Sequence, residues 1–315
     1  MYINDQVMDE QERIGFRLRS LYSDHGYSRY KMGKFEEYDL YSQNKDFLLS
    51  KSVITFTDTN GRLMALKPDV TLSIVKNGRD LPGQLRKLYY HENVYRVSAA
   101  ENGFRELTQV GLECTGAVDV RCLAEVLLLA AESLKLCSEN FILEVSHLGI
   151  LSAFAEKITA NEAVRNEILR CAGEKNLHGI SQICSSHGIT GGSEQGLLKL
   201  LKCYGEPRQV LPEIRSLAEA NGAGAYAEEL EQAMDAFTDE EIKQRICIDF
   251  SAVGDLKYYN GITFKGFISG IPGAVLSGGQ YDTLMRKMGR KDHAVGFAVF
   301  LDMLERLNEE KESYA

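Results

Sequence analysis

Three residues on one face of a predicted strand have the chemistry and the spacing to bind a small zwitterion. Gln109 and Glu113 are four residues apart, about 13 Å along an extended strand, and Gly111 lies between them on the same side. Glu113 could accept hydrogen bonds from a ligand ammonium, and the Gln109 amide can both donate and accept. Gly111 would leave room for the ligand. A solvent-exposed polar face with an incidental glycine is the alternative, and the pattern taken alone favours it.

Glycines and a tyrosine pair offer further candidate pocket elements. Gly278 and Gly279 lie in Ser277-Gly278-Gly279-Gln280-Tyr281-Asp282, which matches neither a P-loop nor a dinucleotide-binding glycine motif. Close approach to a ligand or to a neighbouring strand explains them better, with turn formation as the alternative. Tyr258 and Tyr259 would point to opposite faces of one strand. One phenol is then expected in the core, and the other could line a cleft, unless both only pack.

The sequence has no pattern typical of a nucleophile, a metal site or a disulfide framework. Its six histidines form no H-E-x-x-H motif, and no G-x-S-x-G elbow surrounds a serine. We expect His147, which ends an alternating strand, to be hydrogen-bonded and partly buried rather than to act as a base. The seven cysteines include no C-x-x-C pair and predict buried free thiols. A binding cleft without catalytic residue, metal or cofactor is the expectation.

The elements that position these residues are strands at both ends of the chain and helices in the middle. This arrangement predicts an α+β fold whose antiparallel sheet is assembled from both ends. Residues 151–244, rich in Glu, Ala and Leu, are interpreted as a helical insertion. The other predicted elements are helices over 9–21, 69–76 and 118–137, an Asn-Gly hairpin with strands 53–56 and 62–66, and strands over 88–97, 104–114, 141–145, 246–250, 258–268, 274–276 and 294–301.

Composition restricts the class of protein. The chain has 315 residues with 36 Lys and Arg against 45 Asp and Glu, a net charge of −9. Its 44% hydrophobic and 26% charged residues are typical of a globular protein rather than a disordered one. The acidic balance argues against a nucleic-acid partner, and no run of ~18 apolar residues predicts a membrane span. Free thiols and the polar N-terminus predict a cytoplasmic protein.

Six segments, in order, resemble the catalytic core of the class II histidyl-tRNA synthetases. They are ALKPDVT at 65–71, KLYYHENVYR at 87–96, RELTQVGLE at 105–113, LKYYNGITF at 256–264, SGGQYD at 277–282 and AVGFA at 294–298. The resemblance implies an antiparallel sheet flanked by helices, in agreement with the elements above. It assigns residues 1–150 and 245–315 to a class II synthetase-like core, and it leaves 151–244 as the insertion.

The resemblance also implies a histidine site, because the residues that this family places around the amino acid are kept. The implied histidine-binding residues are Asp69, Thr71, Arg96, Gln109, Glu113, Tyr258 and Tyr259, with Gly111, Gly278 and Gly279 as pocket backbone.

The cations that the family uses to hold ATP are missing. The arginine of the third motif falls at Met303, and the arginine that begins the histidine-specific motif falls at Gly254. Ser98 replaces a glutamate of the second motif, Gly103 a phosphate-contacting arginine, and Gly33 a proline of the dimer interface. A triphosphate would keep several uncompensated negative charges here, so we expect adenylation to be very weak or absent.

These departures resemble the synthetase paralogues that serve as regulatory subunits of ATP phosphoribosyltransferase, the first enzyme of histidine biosynthesis. The resemblance implies a non-catalytic subunit, a dimer within a hetero-oligomer with the short catalytic subunit, and histidine as feedback effector. Since the sequence ends at Ala315, we expect no anticodon-binding domain. Two alternatives stay open. One is a truncated synthetase-like enzyme that activates an amino acid with ATP, and the other is a tRNA-binding module, which the net charge of −9 disfavours.

Overall fold

A computed structural model of the chain describes residues 7–48, 52–80, 83–98, 103–189, 192–251 and 258–304. Its centre is a nine-stranded, mainly antiparallel sheet, and a separate three-stranded sheet lies near the N-terminus. Helices α1 (Glu10–Asp24) and α4 (Val120–Cys137) pack on one face of the large sheet. The predicted α+β architecture is confirmed.

The strands of the described residues carry the labels β1 to β12 in chain order. They are β1 Ser28–Arg29, β2 Phe35–Glu37, β3 Thr55–Thr57, β4 Leu63–Leu66, β5 Leu85–Ser98, β6 Gly103–Gly116, β7 Phe141–His147, β8 Tyr204–Gly205, β9 Ile246–Asp249, β10 Ile262–Ile268, β11 Leu276–Gln280 and β12 His293–Phe300.

The remaining helices follow the same order. They are α2 Tyr38–Ser42, α3 Thr71–Asn77, α5 Leu148–Ile158, α6 Glu162–Gly173, α7 Leu177–Ser186, α8 Gly192–Leu200, α9 Pro207–Ala220, α10 Gly224–Asp235, α11 Glu240–Lys243 and α12 Asp282–Lys287, with a short 3₁₀ helix at Lys45–Phe47. Apart from β8, the elements between β7 and β9 are helices, and β8 pairs with β9 at the edge of the large sheet.

The large sheet interleaves strands from the two ends of the chain. Its order is β1-β5-β6-β12-β11-β10-β7-β9-β8, so β12, β11 and β10 stand between β6 and β7. In the described part of the sheet, β1 with β5 and β7 with β9 are parallel and the other pairs are antiparallel. The prediction that both ends of the chain build the sheet is therefore confirmed.

The register of the central strands aligns small residues in one row across the sheet. Glu113 of β6 lies opposite Gly296 of β12, Gly296 lies opposite Gly279 of β11, and Gly279 lies opposite Thr263 of β10. Because side chains alternate between faces along a strand, this row shares its face with the side chain of Gln109. Two residues of this row, Glu113 and Gly296, line the site described below.

The opposite face of the sheet is apolar and packs against α1 and α4. Val110, Leu112 and Cys114 of β6 are fully buried there, as the alternation of the strand predicts. Tyr22 of α1 donates or accepts a hydrogen bond of 2.9 Å with Ser133 of α4, so the two helices are also joined by polar atoms. The same apolar core continues into the helical segment between β7 and β9.

Two predicted strand boundaries are wrong. The strand predicted over 258–268 begins at Ile262, because the backbone N–H of Asn260 turns to the carbonyl of Gln280, and pairing with β7 starts only at Ile262. The strand predicted over 274–276 runs instead over Leu276–Gln280. Glycines at 278 and 279 are part of this strand, so turn formation does not explain them.

The thiols and the histidine that the sequence singles out behave as predicted. All seven cysteines are free, and all but Cys137 are buried. His147 is buried, donates to or accepts from Glu229 at 2.9 Å and accepts from the Gly149 N–H at 3.0 Å. Within the described ranges, every helix is too short or too polar to cross a bilayer.

The N-terminus of α4 supplies a test of the fold. The Asp119 carboxylate accepts a hydrogen bond of 3.0 Å from the Cys122 N–H and caps the helix. Asp119→Ala should lower the free energy of unfolding by about 1 kcal/mol, measured by urea denaturation. Arg121→Ala, which removes only the exposed ion pair to Asp119, should change it much less. Equal losses in the two variants would show that the ion pair, not the cap, stabilises this end.

Candidate functional site

A cavity of about 380 Å³ lies on the face of the large sheet opposite α4. Strands β6, β10, β11 and β12 form its floor, the start of α3 forms one side, and residues 258 and 259 form another. The structure brings all seven sequence-predicted side chains around this single cavity, although they come from distant parts of the chain. They are Asp69, Thr71, Arg96, Gln109, Glu113, Tyr258 and Tyr259.

The Glu113 carboxyl group is the most buried acid in this lining. Its side chain is 2% exposed, and Thr71 Oγ1 and Tyr281 Oη each donate a hydrogen bond of 2.6 Å to one of its two oxygens. Burial raises the pKa of Glu113 to about 8, although the two hydroxyl donors act in the opposite direction. At such a pKa we expect the carboxyl group to carry a proton at pH 7, and a cation bound beside it would favour the ionised form.

Burial also decides between the two interpretations of the polar strand face. Gln109 and Glu113 are 4% and 2% exposed, so a solvent-exposed face is excluded. The floor beside Glu113 is Gly296, where even a Cβ atom would collide with the carboxylate. This glycine is what lets an acidic side chain lie flat against the sheet.

The glycines singled out in the sequence make room for protein side chains. A Cβ on Gly111 would lie 2.5 Å from the Tyr90 hydroxyl, so Tyr90 occupies the space beside Gly111. A Cβ on Gly278 would lie 2.4 Å from the Phe297 Cβ and 2.6 Å from the Phe264 ring. A Cβ on Gly279 would lie 2.8 Å from the Tyr259 ring. Contact between these backbones and a ligand stays a prediction.

Asp69 and Arg96 place opposite charges at another side of the cavity. Asp69 Oδ1 accepts from the Leu72 N–H at 2.8 Å near the start of α3, and Pro68 fixes the backbone just before it. Burial raises the pKa of Asp69, and the Arg96 guanidinium opposes that rise. Burial lowers the pKa of Arg96, and Asp69 raises it. Each charge thus opposes the effect of burial on the pKa of the other.

Aromatic rings close the cavity. Tyr258 and Tyr259 pack edge to face at 4.8 Å between ring centroids, and Tyr281 lies 5.9 Å from Tyr258. Both members of the Tyr258–Tyr259 pair line the cavity, so the prediction that they point to opposite faces is wrong. The reason is that these residues lie in a turn before β10, where side-chain alternation does not apply.

Sequence reasoning missed several lining residues. Tyr90 could have been found from the alternation in β5, since it lies opposite Gly111 in the β5–β6 pair. Tyr281 lay inside a quoted motif, but its bond to Glu113 spans 168 residues and has no local sequence pattern. The other lining residues not predicted are Phe47, Lys265, Ser277, Gly296, Phe297, Ala298 and Phe300.

The lining contains as many carboxyl groups as cationic side chains. Asp69 and Glu113 provide two carboxyl groups, and Arg96 and Lys265 provide two cations. A cavity with this balance compensates a zwitterion well and a polyphosphate poorly, since each buried charge needs an opposite partner.

The residue at the position that the resemblance assigns to an ATP-binding arginine, Met303, lies in apolar surroundings. Met303 is half-buried and packs against the main apolar core, with its Cε near Gly273. The neighbouring Asp302 carboxylate accepts from the Thr108 N–H at 2.6 Å. Gly254 and the side chain of Ser98 lie outside the described residues. Residue 303 therefore provides no guanidinium group for a phosphate.

Comparison with known proteins gives matches that span most of the chain. The sequence model of the histidyl-tRNA synthetase family matches residues 3–304. The ATP phosphoribosyltransferase regulatory subunit of Ruminiclostridium cellulolyticum is 27% identical over 312 residues, which cover 96% of this chain and 74% of that protein. Seven further relatives at 25–29% identity bear the same name.

Solved structures give the same fold. A Bacillus halodurans protein described as an ATP phosphoribosyltransferase regulatory subunit/histidyl-tRNA synthetase superposes with a TM-score of 0.83 at 25% identity, covering 94% of this chain and 79% of that one. A chain of the Thermotoga maritima ATP phosphoribosyltransferase complex superposes with a TM-score of 0.71 at 19% identity, covering 93% and 98%.

The raised pKa of Glu113 predicts a pH dependence of stability. Between the ordinary carboxyl pKa near 4.5 and about 8, the folded state holds a proton that the unfolded state has lost. The free energy of unfolding therefore falls as the pH rises through this window. Glu113→Gln should remove this component of the slope in urea denaturation between pH 5 and 8. Parallel pH profiles for the variant and the wild type would contradict the assignment.

Proposed function

The chain belongs to the histidyl-tRNA synthetase family, and from this premise we propose that it is the non-catalytic regulatory subunit of an ATP phosphoribosyltransferase in histidine biosynthesis. It assembles with the short catalytic subunit, supports its activity and allows feedback inhibition by histidine. The names of the relatives support this role. The observation that carries it is a cavity lined by all seven amino-acid-site residues that the resemblance implies, in a chain whose residue 303 is a methionine packed on the apolar core.

Histidine fits the chemistry of the cavity. Its ammonium and imidazole N–H groups need acceptors, which Asp69, Glu113 and Gln109 provide. Its carboxylate needs a planar donor pair, which the guanidinium of Arg96 provides. Tyrosine rings beside the imidazole add apolar contact and exclude water. A cavity of about 380 Å³ lies at the small end of ligand pockets, which suits a single amino acid.

Loss of the ATP cations supports a regulatory rather than a catalytic role. Adenylation develops charge on phosphate oxygens, and one lost donor in such a site costs about 2.7–4 kcal/mol of transition-state stabilisation. The thioether of Met303 supplies none of it. Aminoacylation by this chain is therefore expected to be absent.

Feedback inhibition follows from linkage between two binding equilibria. If bound histidine weakens the active state of the assembly, that active state must weaken histidine binding by the same factor. The regulatory chain need not touch the reacting atoms for this coupling. A dimer of this chain within a cytoplasmic hetero-oligomer is part of the proposal.

Reconstitution tests the proposed role. The short catalytic subunit mixed with this chain should transfer phosphoribosyl groups to ATP well above its rate alone, and histidine should inhibit the mixture. Rates are measured by absorbance of the product, with each protein alone as control. A catalytic subunit that neither binds this chain nor responds to it would contradict the proposal.

A second assay separates the regulatory subunit from an amino-acid-activating enzyme. The chain alone, with ATP, histidine and labelled pyrophosphate, should show no histidine-stimulated exchange of label into ATP. Exchange above background would favour the truncated synthetase-like enzyme instead.

Pocket variants test histidine binding directly. Glu113→Gln removes a charge-assisted acceptor and should weaken histidine binding about 10- to 100-fold, and Gln109→Ala should weaken it about 5-fold. Isothermal titration at pH 7 in buffers of different ionisation enthalpy should also show proton release for the wild type that Glu113→Gln abolishes, since ligand binding ionises this carboxyl.

The matched control is Glu106→Gln, on the same strand but exposed and outside the cavity lining. It should leave affinity and proton release unchanged. Equal affinities for Glu113→Gln and the wild type would remove Glu113 from the binding site.

A further inference from the structure

A chain of three polar side chains joins helix α10 to the strands around the cavity. His147 at the end of β7 bonds to Glu229 of α10 at 2.9 Å between Nε2 and Oε2. The side chain of Gln280, at the end of β11, also hydrogen-bonds to Glu229. We name these three residues the polar chain. None of them lines the cavity, and the function proposed above does not use them.

The protonation of the polar chain follows from its partners. His147 Nδ1 accepts from the Gly149 N–H at 3.0 Å, so the ring proton lies on Nε2 and is donated to Glu229. This hydrogen bond lowers the pKa of Glu229 and keeps it an anion. The His147 ring is 1% exposed and lies against Tyr226 of α10, 5.1 Å between ring centroids. The contacts with His147 and Gln280 therefore restrain the Glu229 carboxylate.

Gln280 connects the polar chain to the turn that carries Tyr258 and Tyr259. Its side-chain Oε1 accepts from the Ile262 N–H at 2.5 Å, and its backbone oxygen accepts from the Asn260 N–H at 3.0 Å. The Gln280 amide also fills the place that a side chain at Gly261 would need. Residues 260–262 follow Tyr258 and Tyr259 directly, so Gln280 fixes the backbone from which both rings project.

The same turn has a second anchor that stays local. Asn260 Nδ2 donates to Asp282 Oδ2 at 3.3 Å, and the Thr283 N–H donates to Asn260 Oδ1 at 3.3 Å, both at the start of α12. The Leu148 N–H donates to the Gly261 carbonyl at 2.9 Å. Of the two side-chain anchors, the Gln280 anchor continues through Glu229 to the helical segment.

We propose that Glu229 is a positioning residue for the amino-acid cavity, which acts through Gln280 on the Tyr258–Tyr259 turn and couples that turn to helix α10. The inference rests on the proposed function and deepens it. It names the contacts through which a ligand bound between the tyrosines and the sheet would change the stability of the helical segment. Coupling is reciprocal. The factor by which loss of Glu229 weakens ligand binding must equal the factor by which the bound ligand strengthens the stabilising contribution of Glu229.

The test uses full-length variants of helix α10. Glu229→Ala removes the acceptor for both neighbours, Glu229→Gln keeps an acceptor for His147, and Glu228→Ala is the matched control because Glu228 is the exposed neighbour on the same helix. Hydrogen exchange of peptides spanning 258–264, 224–235 and 85–97 is measured with and without histidine, together with histidine affinity by titration calorimetry.

Without ligand, Glu229→Ala should speed exchange in 258–264 and leave 85–97 unchanged. Its histidine affinity should fall about 3- to 10-fold, and histidine should no longer slow exchange in 224–235. Glu229→Gln should restore part of the affinity, and Glu228→Ala should match the wild type in every measurement.

Two results would overturn the inference. One is wild-type exchange and affinity in Glu229→Ala. The other is faster exchange in 85–97 to the same degree as in 258–264, which would indicate general loosening. If the wild type binds no histidine, the proposed ligand fails, while the ligand-free exchange of 258–264 still decides the role of Glu229.

Discussion

Burial of one carboxyl group, that of Glu113, is the constraint on which the site depends. An acid in the middle of a sheet is costly unless donors surround it, and here Thr71 and Tyr281 bring one hydroxyl to each oxygen from elements far apart in the sequence. The same carboxyl forbids a side chain at residue 296, and it fixes how β12 lies beside β6. The Glu113 side chain therefore takes part in the packing of the sheet, in the pairing of β6 with β12 and in the chemistry of the cavity.

Under the proposed function, a synthetase-like fold keeps an amino-acid pocket without the synthetase reaction. Zwitterion binding needs a few charges in balance, and Asp69, Glu113, Arg96 and Lys265 supply that balance within one cavity. Adenylation needs an excess of cations around the phosphate groups of ATP. Residue 303 supplies no cation, because it is a methionine that packs on the apolar core. The two capacities rest on different residues, so one can be lost while the other is kept.

Local patterns predicted much of the fold and part of the site. Alternation identified Gln109 and Glu113, and the apolar helical spacing and the Asn-Gly pattern predicted α1 and the β3–β4 hairpin correctly. Alternation failed at Tyr258 and Tyr259, because the Gln280 carbonyl draws Asn260 out of the strand. The burial of Glu113 and its bond to Tyr281 depend on residues far along the chain, and no window of neighbouring residues contains that information.

The interleaved strand order also sets when the site can form during synthesis. Strand β6, 14 residues long, has β5 just before it in the sequence as one partner. Its partner on the other edge is β12, which follows almost at the end of the described chain. Closing such long loops makes folding slow, and an open edge of that length can pair with the wrong strand. During synthesis, this edge of β6 therefore lacks its final partner until almost all of the described chain has emerged.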